Sequence, residues 1–240
     1  MNPQELYKAG RLADAIAALN GEVRDNPGDT RRRTFLFELL CFAGEYARAD
    51  KQLEVLSQGG PGSEMGVLLY RSALYAQRQR EDLFAQGQYP NQEESSEAVR
   101  DGLVNGKGFT SITDADPRIG PRLELFAAGN YLLLPLKHVA SIQIQPPKRL
   151  RDLIWTPASV RTTASFQGAE LGEVLIPVLS PFSWQHSDDA VRLGRATVWE
   201  QREGSDEAIP LGQKMWLVDD EEIPFLELRS LEFKSASVAA

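Results

Sequence analysis

The chain has 240 residues, 42% of them hydrophobic and 25% charged, which supplies apolar material for two modest cores and excludes a disordered polymer. The net charge of -8 is gathered after residue 90, where 15 basic side chains stand against 22 acidic ones, compared with 11 and 12 before it. Such a surface repels phosphate backbones, and with Arg31-Arg32-Arg33 as the one basic cluster no nucleic-acid partner is expected.

The first twenty residues mix Asn2, Gln4, Glu5, Lys8, Arg11 and Asp14 with apolar positions, unlike the continuous apolar core of a secretory signal. No apolar run approaches the roughly 18 residues that a membrane helix needs, so a soluble, cytoplasmic protein without membrane insertion is expected. The same region carries an internal echo at a 34-residue offset: Ala9/Ala43, Gly10/Gly44, Leu12/Tyr46, Ala15/Ala49, Leu19/Leu53 and Pro27/Pro61. That period belongs to tetratricopeptide-type helix pairs. Gly10 and Gly44 sit where one helix must end and turn, Leu12, Ile16 and Leu19 form one apolar stripe, and Pro27 and Pro61 fall beyond the second helix. Glu22 stands where the repeat wants a small packing residue, and Arg78 stands where a third turn glycine would be. Units of this kind bury their faces by stacking, so the short array needs a cap, assigned to residues 64–85. Cys41, the single cysteine, lies in the apolar run Phe35 to Phe42 and is expected as a core thiol in a reducing compartment.

Residues 1–90 are thus predicted as a tetratricopeptide-like helical domain. Residues 91–116, polar and glycine-rich, are predicted as a connecting segment with a short helix near Glu94 to Leu103. From 117 to 240 the pattern becomes short apolar runs between turn residues: Leu123–Phe126, Asn130–Leu136, Val139–Ile144, Ser159–Phe166, Glu173–Val178, Ala196–Trp199, Lys214–Val218 and Phe225–Leu228. Ala127-Ala128-Gly129-Asn130 reads as a hairpin turn, and Asp219-Asp220-Glu221-Glu222 as a solvated turn between apolar runs. The expected fold class is α+β in two parts, a helical repeat followed by a mostly antiparallel, β-rich domain.

A catalytic constellation does not assemble from this sequence. His138 and His186 are the only histidines, and neither has a second histidine or a cysteine at zinc-ligand spacing. His186 with Asp188 and Asp189 is the nearest thing to a metal set, but it follows Pro181 and Trp184 in a loop-like stretch. Phosphate-loop and nucleophile-elbow motifs are missing, and Asp114, Asp116 and Asp152 near Arg118, Arg149 and Arg151 read as structural ion pairs. No cofactor is expected. One enzymatic alternative remains, a small-molecule or hydrolytic pocket around the Arg151, Asp152, Trp155 and Arg195, Trp199 blocks.

The blocks Asp114-Ala115-Asp116-Pro117-Arg118-Ile119-Gly120-Pro121, Gly129-Asn130-Tyr131 with Pro135, Leu150 to Ala158, Ile176-Pro177-Val178-Leu179, Leu193 to Trp199 and Leu211-Gly212-Gln213 follow in this order, with the Gly10 and Gly44 turns upstream. Together they resemble the ImpE family, also called TagJ or SciE-like, an accessory group of bacterial type VI secretion clusters. Family members often have Tyr-Pro after the Pro-x-Leu stretch and an Asp before the last Trp, where this chain has Ser180-Pro181 and Val198. The resemblance implies a non-enzymatic protein that binds a helix near the N-terminus of the small contractile-sheath subunit. A helical-repeat groove is a natural receptor for an amphipathic helix, and in tetratricopeptide-like register it would be lined by Arg31, Thr34, Glu38, Met65, Leu68, Ser72 and Tyr75. The competing expectation packs Met65, Leu68 and Tyr75 beneath the C-terminal domain.

Overall fold

The computed structural model describes residues 1–59, 64–88, 101–168, 170–201 and 207–234. Five helices come first: α1 Pro3–Lys8, α2 Leu12–Asp25, α3 Thr30–Phe42, α4 Tyr46–Ser57 and α5 Glu64–Ala85. Asn2 and Glu5 form a reciprocal capping box on α1, and the Asp29 carboxylate accepts from the Arg32 N–H to start α3. The two turns related by the 34-residue echo close identically. Arg11 N–H donates to the Leu6 carbonyl and Glu45 N–H to the Leu40 carbonyl, each at 2.9 Å, while Gly10 and Gly44 adopt φ of 76° and 71°. The stripe Leu12, Ile16 and Leu19 is buried, as are Ala15, Ala49 and Leu53, and the Cys41 thiol is buried too. Pro61 and most of the span predicted as a helix near Glu94 lie outside the described residues.

The rest is mainly β-sheet, with strands β1 Gly102–Val104, β2 Lys107–Phe109, β3 Ile112–Asp114, β4 Arg122–Ala127, β5 Asn130–Pro135, β6 Val139–Ile144, β7 Trp155–Thr162, β8 Gly172–Pro177, β9 Thr197–Gln201, β10 Ala208–Gly212, β11 Met215–Val218, β12 Glu221–Pro224 and β13 Ser230–Phe233. A short helix, α6 Asp189–Arg192, precedes β9. The main sheet runs β2-β1-β13-β6-β7-β8-β4-β5; β12-β11-β3 and β10-β9 form two smaller sheets, and the recorded pairings are antiparallel. The α+β class and the helix-then-sheet order agree with expectation.

Alternation along the strands gives the main sheet two apolar faces. Phe126, Trp155 and Leu175 point toward the helices and share one core with Leu12, Phe37, Leu40, Phe42, Tyr70 and Ala73. Leu125, Ile142, Ile144, Val160, Ile176 and Leu231 point the other way, onto a second core closed by Trp216 and Phe225.

Several elements differ from the sequence-based expectation. Three strands occupy the span 91–116 predicted as a connection, because Asn105-Gly106 supplies two consecutive left-handed residues (φ 50° and 81°) for a tight hairpin between β1 and β2. Leu103 is therefore in a strand, not a helix. Phe225–Leu228 is not a strand either. Pro224 leads into a single 3-10 turn, Phe225–Glu227, that drops the Phe225 ring into the second core, and the strand follows at Ser230–Phe233. The run starting at Ser159 belongs to a strand that begins at Trp155 and ends at Thr162, ahead of Phe166. In the acidic string only Asp219 and Asp220 turn, with Glu221 and Glu222 opening β12.

The two turn glycines are not equivalent in their surroundings. A Cβ at Gly44 would lie 2.3 Å from the Trp184 ring, whereas at Gly10 its nearest neighbour, the flexible Arg195 guanidinium, is 3.7 Å away. Both substitutions carry the left-handed cost of about 1–2 kcal/mol, and only Gly44→Ala adds an overpacking cost of about 1–3 kcal/mol. Denaturant titrations should show Gly44→Ala as the more destabilised variant, and equal losses would contradict the tight Trp184 contact.

Candidate functional site

The seven residues nominated for a partner groove separate in the structure. Glu38 is buried, and its carboxylate faces the Arg151 guanidinium at 3.3 Å. Arg151 itself stacks over the Tyr70 ring at 4.7 Å, so the 3-10 turn Leu150–Leu153 closes this side of α3 and α5. Arg31 is exposed on the first turn of α3, and the half-buried Thr34 hydroxyl donates to the Thr30 carbonyl. On α5, Met65, Leu68 and Tyr75 are 77%, 62% and 58% exposed, joined by Leu69 at 48%. They do not pack beneath the sheets. Ser72 is half-buried against the Gly129 turn. Positions 65, 68, 72 and 75 follow the three- and four-residue spacing of one helical seam.

The opposite face of α5 is what anchors it. Tyr70, Ala73, Leu74, Gln77, Arg80 and Phe84 are buried. The Gln77 side-chain oxygen accepts from the Trp155 indole N–H at 3.0 Å, and the Gln79 side chain accepts from Tyr131 N–H on strand β5 at 3.0 Å. Arg80 makes a two-pronged pair with Glu124 at 2.7 and 2.8 Å and donates to the Leu179 carbonyl at 3.0 Å. Glu124 also receives the Tyr131 hydroxyl at 2.7 Å and the Lys214 ammonium, and Lys214 pairs with Asp114 at 2.6 Å. Arg80, Glu124, Lys214 and Asp114 are all buried.

Electrostatics follow from that packing. Burial alone would raise the Glu124 carboxyl, but Arg80 and Lys214 outweigh it and hold Glu124 far below the usual carboxylate range. Burial would lower Lys214, and Asp114 with Glu124 reverses the direction. Asp114, with Lys214 as its opposing cation, is pushed up to about 6 by burial. Burial likewise raises Glu38 to about 7 against the pull of Arg151. Sequence reasoning missed Arg80, Glu124 and Lys214. Their signal was a charge placed inside an apolar pattern: Glu124 between Leu123 and Leu125, Lys214 two residues before Trp216, and Arg80 on the stripe of Tyr70, Ala73 and Phe84.

The blocks nominated as an enzymatic pocket are packed or serve the backbone. Trp155 is buried between Phe37 and Tyr70, with ring centroids 6.5 and 6.4 Å away. The Asp152 carboxylate accepts from the N–H groups of Lys148 and Arg149, each at 2.9 Å. Arg195 binds the ends of α1, donating to the carbonyls of Tyr7 at 2.7 Å and Lys8 at 3.0 Å, and Trp199 lies exposed on β9. Of the nominated metal set, His186 Nδ1 accepts from Asp188 N–H at 3.0 Å, Asp188 caps α6 and Asp189 accepts from Leu12 N–H at 2.7 Å. No cluster of three metal-ligating side chains occurs among the described residues.

Residues 106–232 match the family model described as ImpE protein. A curated relative, the type VI secretion system accessory component TagJ of Pseudomonas aeruginosa, is 32% identical, spanning 98% of this chain and 92% of its own. The chain belongs to the ImpE family. A crystal structure of a Vibrio parahaemolyticus protein also superposes on it with a TM-score of 0.86 at 26% identity, covering 98% of both chains. In this ImpE member Glu124, Tyr131 and Lys214 fall inside the family match, whereas their partner Arg80 comes from the helix before it. No helix among the described residues is long and apolar enough to cross a membrane.

The raised Glu38 carboxyl has a definite pH consequence. A group whose folded value of about 7 exceeds its unfolded value of 4.5 contributes stability that is present below the latter and lost as pH rises through the former. Glu38→Gln removes that loss. Between pH 5 and 8 the variant should gain about 2 kcal/mol of stability relative to the unsubstituted chain, read by urea denaturation at both pH values. An unchanged difference would show that Arg151 keeps Glu38 ionised throughout.

Proposed function

We propose that this protein is a non-enzymatic, cytoplasmic accessory component of a bacterial type VI secretion system. In this reading the outer face of α5 captures an amphipathic helix near the N-terminus of the small contractile-sheath subunit. The observation that carries the reading is the exposed seam of Met65, Leu68 and Tyr75, with Leu69 beside it, on a helix whose other face is anchored by buried polar contacts. Isolated exposed apolar residues are ordinary on a protein surface, but several on one helical seam make a surface that fits another helix.

The role as an accessory component is carried over from the Pseudomonas aeruginosa relative. The description of the helix pairs as tetratricopeptide-like rests on the 34-residue echo and the matched turns at Gly10 and Gly44. Arg31 and Thr34 on α3 are kept as a second contact line, and Glu38 is dropped because its carboxylate is already paired inside. Covering four large apolar side chains yields on the order of 4–8 kcal/mol before ordering costs, so micromolar capture, at about 8 kcal/mol net, also draws on the α3 contact line.

Calorimetric titration of the full chain with a synthetic peptide covering the first helix of the small sheath subunit should give micromolar or tighter binding. Leu68→Glu should weaken it at least about 100-fold by burying an unpaired charge, with the melting temperature unchanged. Full-strength binding by Leu68→Glu and Met65→Glu would move the site off α5, and no binding at all would remove the sheath helix as partner.

A further inference from the structure

We propose that the segment Ser180–Arg195 is a clasp that holds α1 and the first turn of α2 docked, so that this stretch opens as a local unit when the clasp is released. The segment reaches both interhelical turns. At the first, Asp189 Oδ2 accepts from Leu12 N–H at 2.7 Å and so caps α2, whose preceding residue Arg11 gives no side-chain cap. Arg195 satisfies the carbonyl ends of α1 and stacks over the Tyr7 ring at 4.7 Å. At the second, Trp184 lies against Gly44 and its indole N–H donates to Glu81 at 3.3 Å.

The two sides of this contact are unequal in strength. The clasp is tied into the sheets: Ser180 N–H donates to the Gly212 carbonyl at 2.9 Å, Gly212 N–H to the Ser183 hydroxyl at 2.8 Å, and the Gln213 side chain to the Gly194 carbonyl at 3.2 Å. Val191 and Leu193 are buried beneath it. By contrast α1 has six residues, buries only Pro3 and Leu6, and leans on α3 through the edge-to-face pair Tyr7–Phe35. A helix of six residues does not persist alone in water. Its docking therefore depends on Arg195, which binds its last carbonyls from 187 and 188 residues further along the chain, and on Asp189, which caps the next helix at Leu12 from 177 residues away. Arg192 holds Asp189 in place at 2.8 Å. The geometry assigns these two residues a positioning role over α1 and the first turn of α2, and it stands whichever partner the protein engages.

Hydrogen–deuterium exchange of the full-length chain, resolved by peptide, tests this. Asp189→Ala and Arg195→Ala should each raise exchange across Asn2–Ile16 about tenfold, while α5 and β4 to β8 stay within about twofold of the unsubstituted chain. Arg195→Lys keeps the charge and one donor and should restore part of the protection. Unchanged exchange at Asn2–Ile16 would overturn the proposal. So would a uniform rise over the whole chain, which would mean that the clasp contributes only to global stability.

Discussion

The fold depends on one buried ion pair, Arg80 with Glu124, because both ends lie where an ionised group is tolerated only with its full set of partners. The carboxylate has the two guanidinium prongs, the Tyr131 hydroxyl and the Lys214 ammonium; the guanidinium has Glu124 and the Leu179 carbonyl. These partners come from α5, β4, β5, the stretch after β8 and the residue before β11, so α5 cannot slide along the sheet without stranding a charge. A buried network of this kind adds little net stability over an apolar core of the same shape. What it supplies is register: α5 has one seat, and the seam on its outer face has one orientation.

Both faces of α5 depart from simple amphipathicity. Its interior face carries Gln77 and Arg80 among apolar neighbours, while its exterior carries Met65, Leu68, Leu69 and Tyr75. A helix serving only its own core would keep its outer face polar. The interior polar groups have partners within the chain, and the exterior apolar ones are exposed. The nominated enzymatic blocks resolve the same way, since Arg151, Asp152, Trp155 and Arg195 all act on helices or turns of the chain itself.

How much of this was legible in the sequence differs by element. The helix pairs were, because a 34-residue echo and two glycines mark the turns, although not the distant Asp189, Arg195 and Trp184 that pack on them. Strands with clear apolar runs, such as Val139–Ile144, were legible too. The strands β1, β2, β3, β10, β12 and β13 were not: they are short or charged, and only their pairing makes them strands, although Asn105-Gly106 carries the signal for one hairpin. Phe225 was misread because a run of apolar residues looks alike whether it extends as a strand or plugs a core from a turn. The seam on α5 was named in part, while the inward turn of Glu38 was not, since it depends on Arg151, which lies 113 residues away in sequence.

The clasp and the buried network bear on the same question from two ends of the helical array. Binding a helix to a surface loses affinity for every degree of freedom the surface must give up, so a face that is already fixed binds more tightly at equal area. Arg80 and Glu124 fix α5. Asp189, Arg195 and Trp184 fix the turns at the other end, but through fewer buried groups and on shorter helices. Local stability should therefore fall from α5 toward α1, and any conformational change in this molecule should begin at the N-terminal pair and leave the seam on α5 in place.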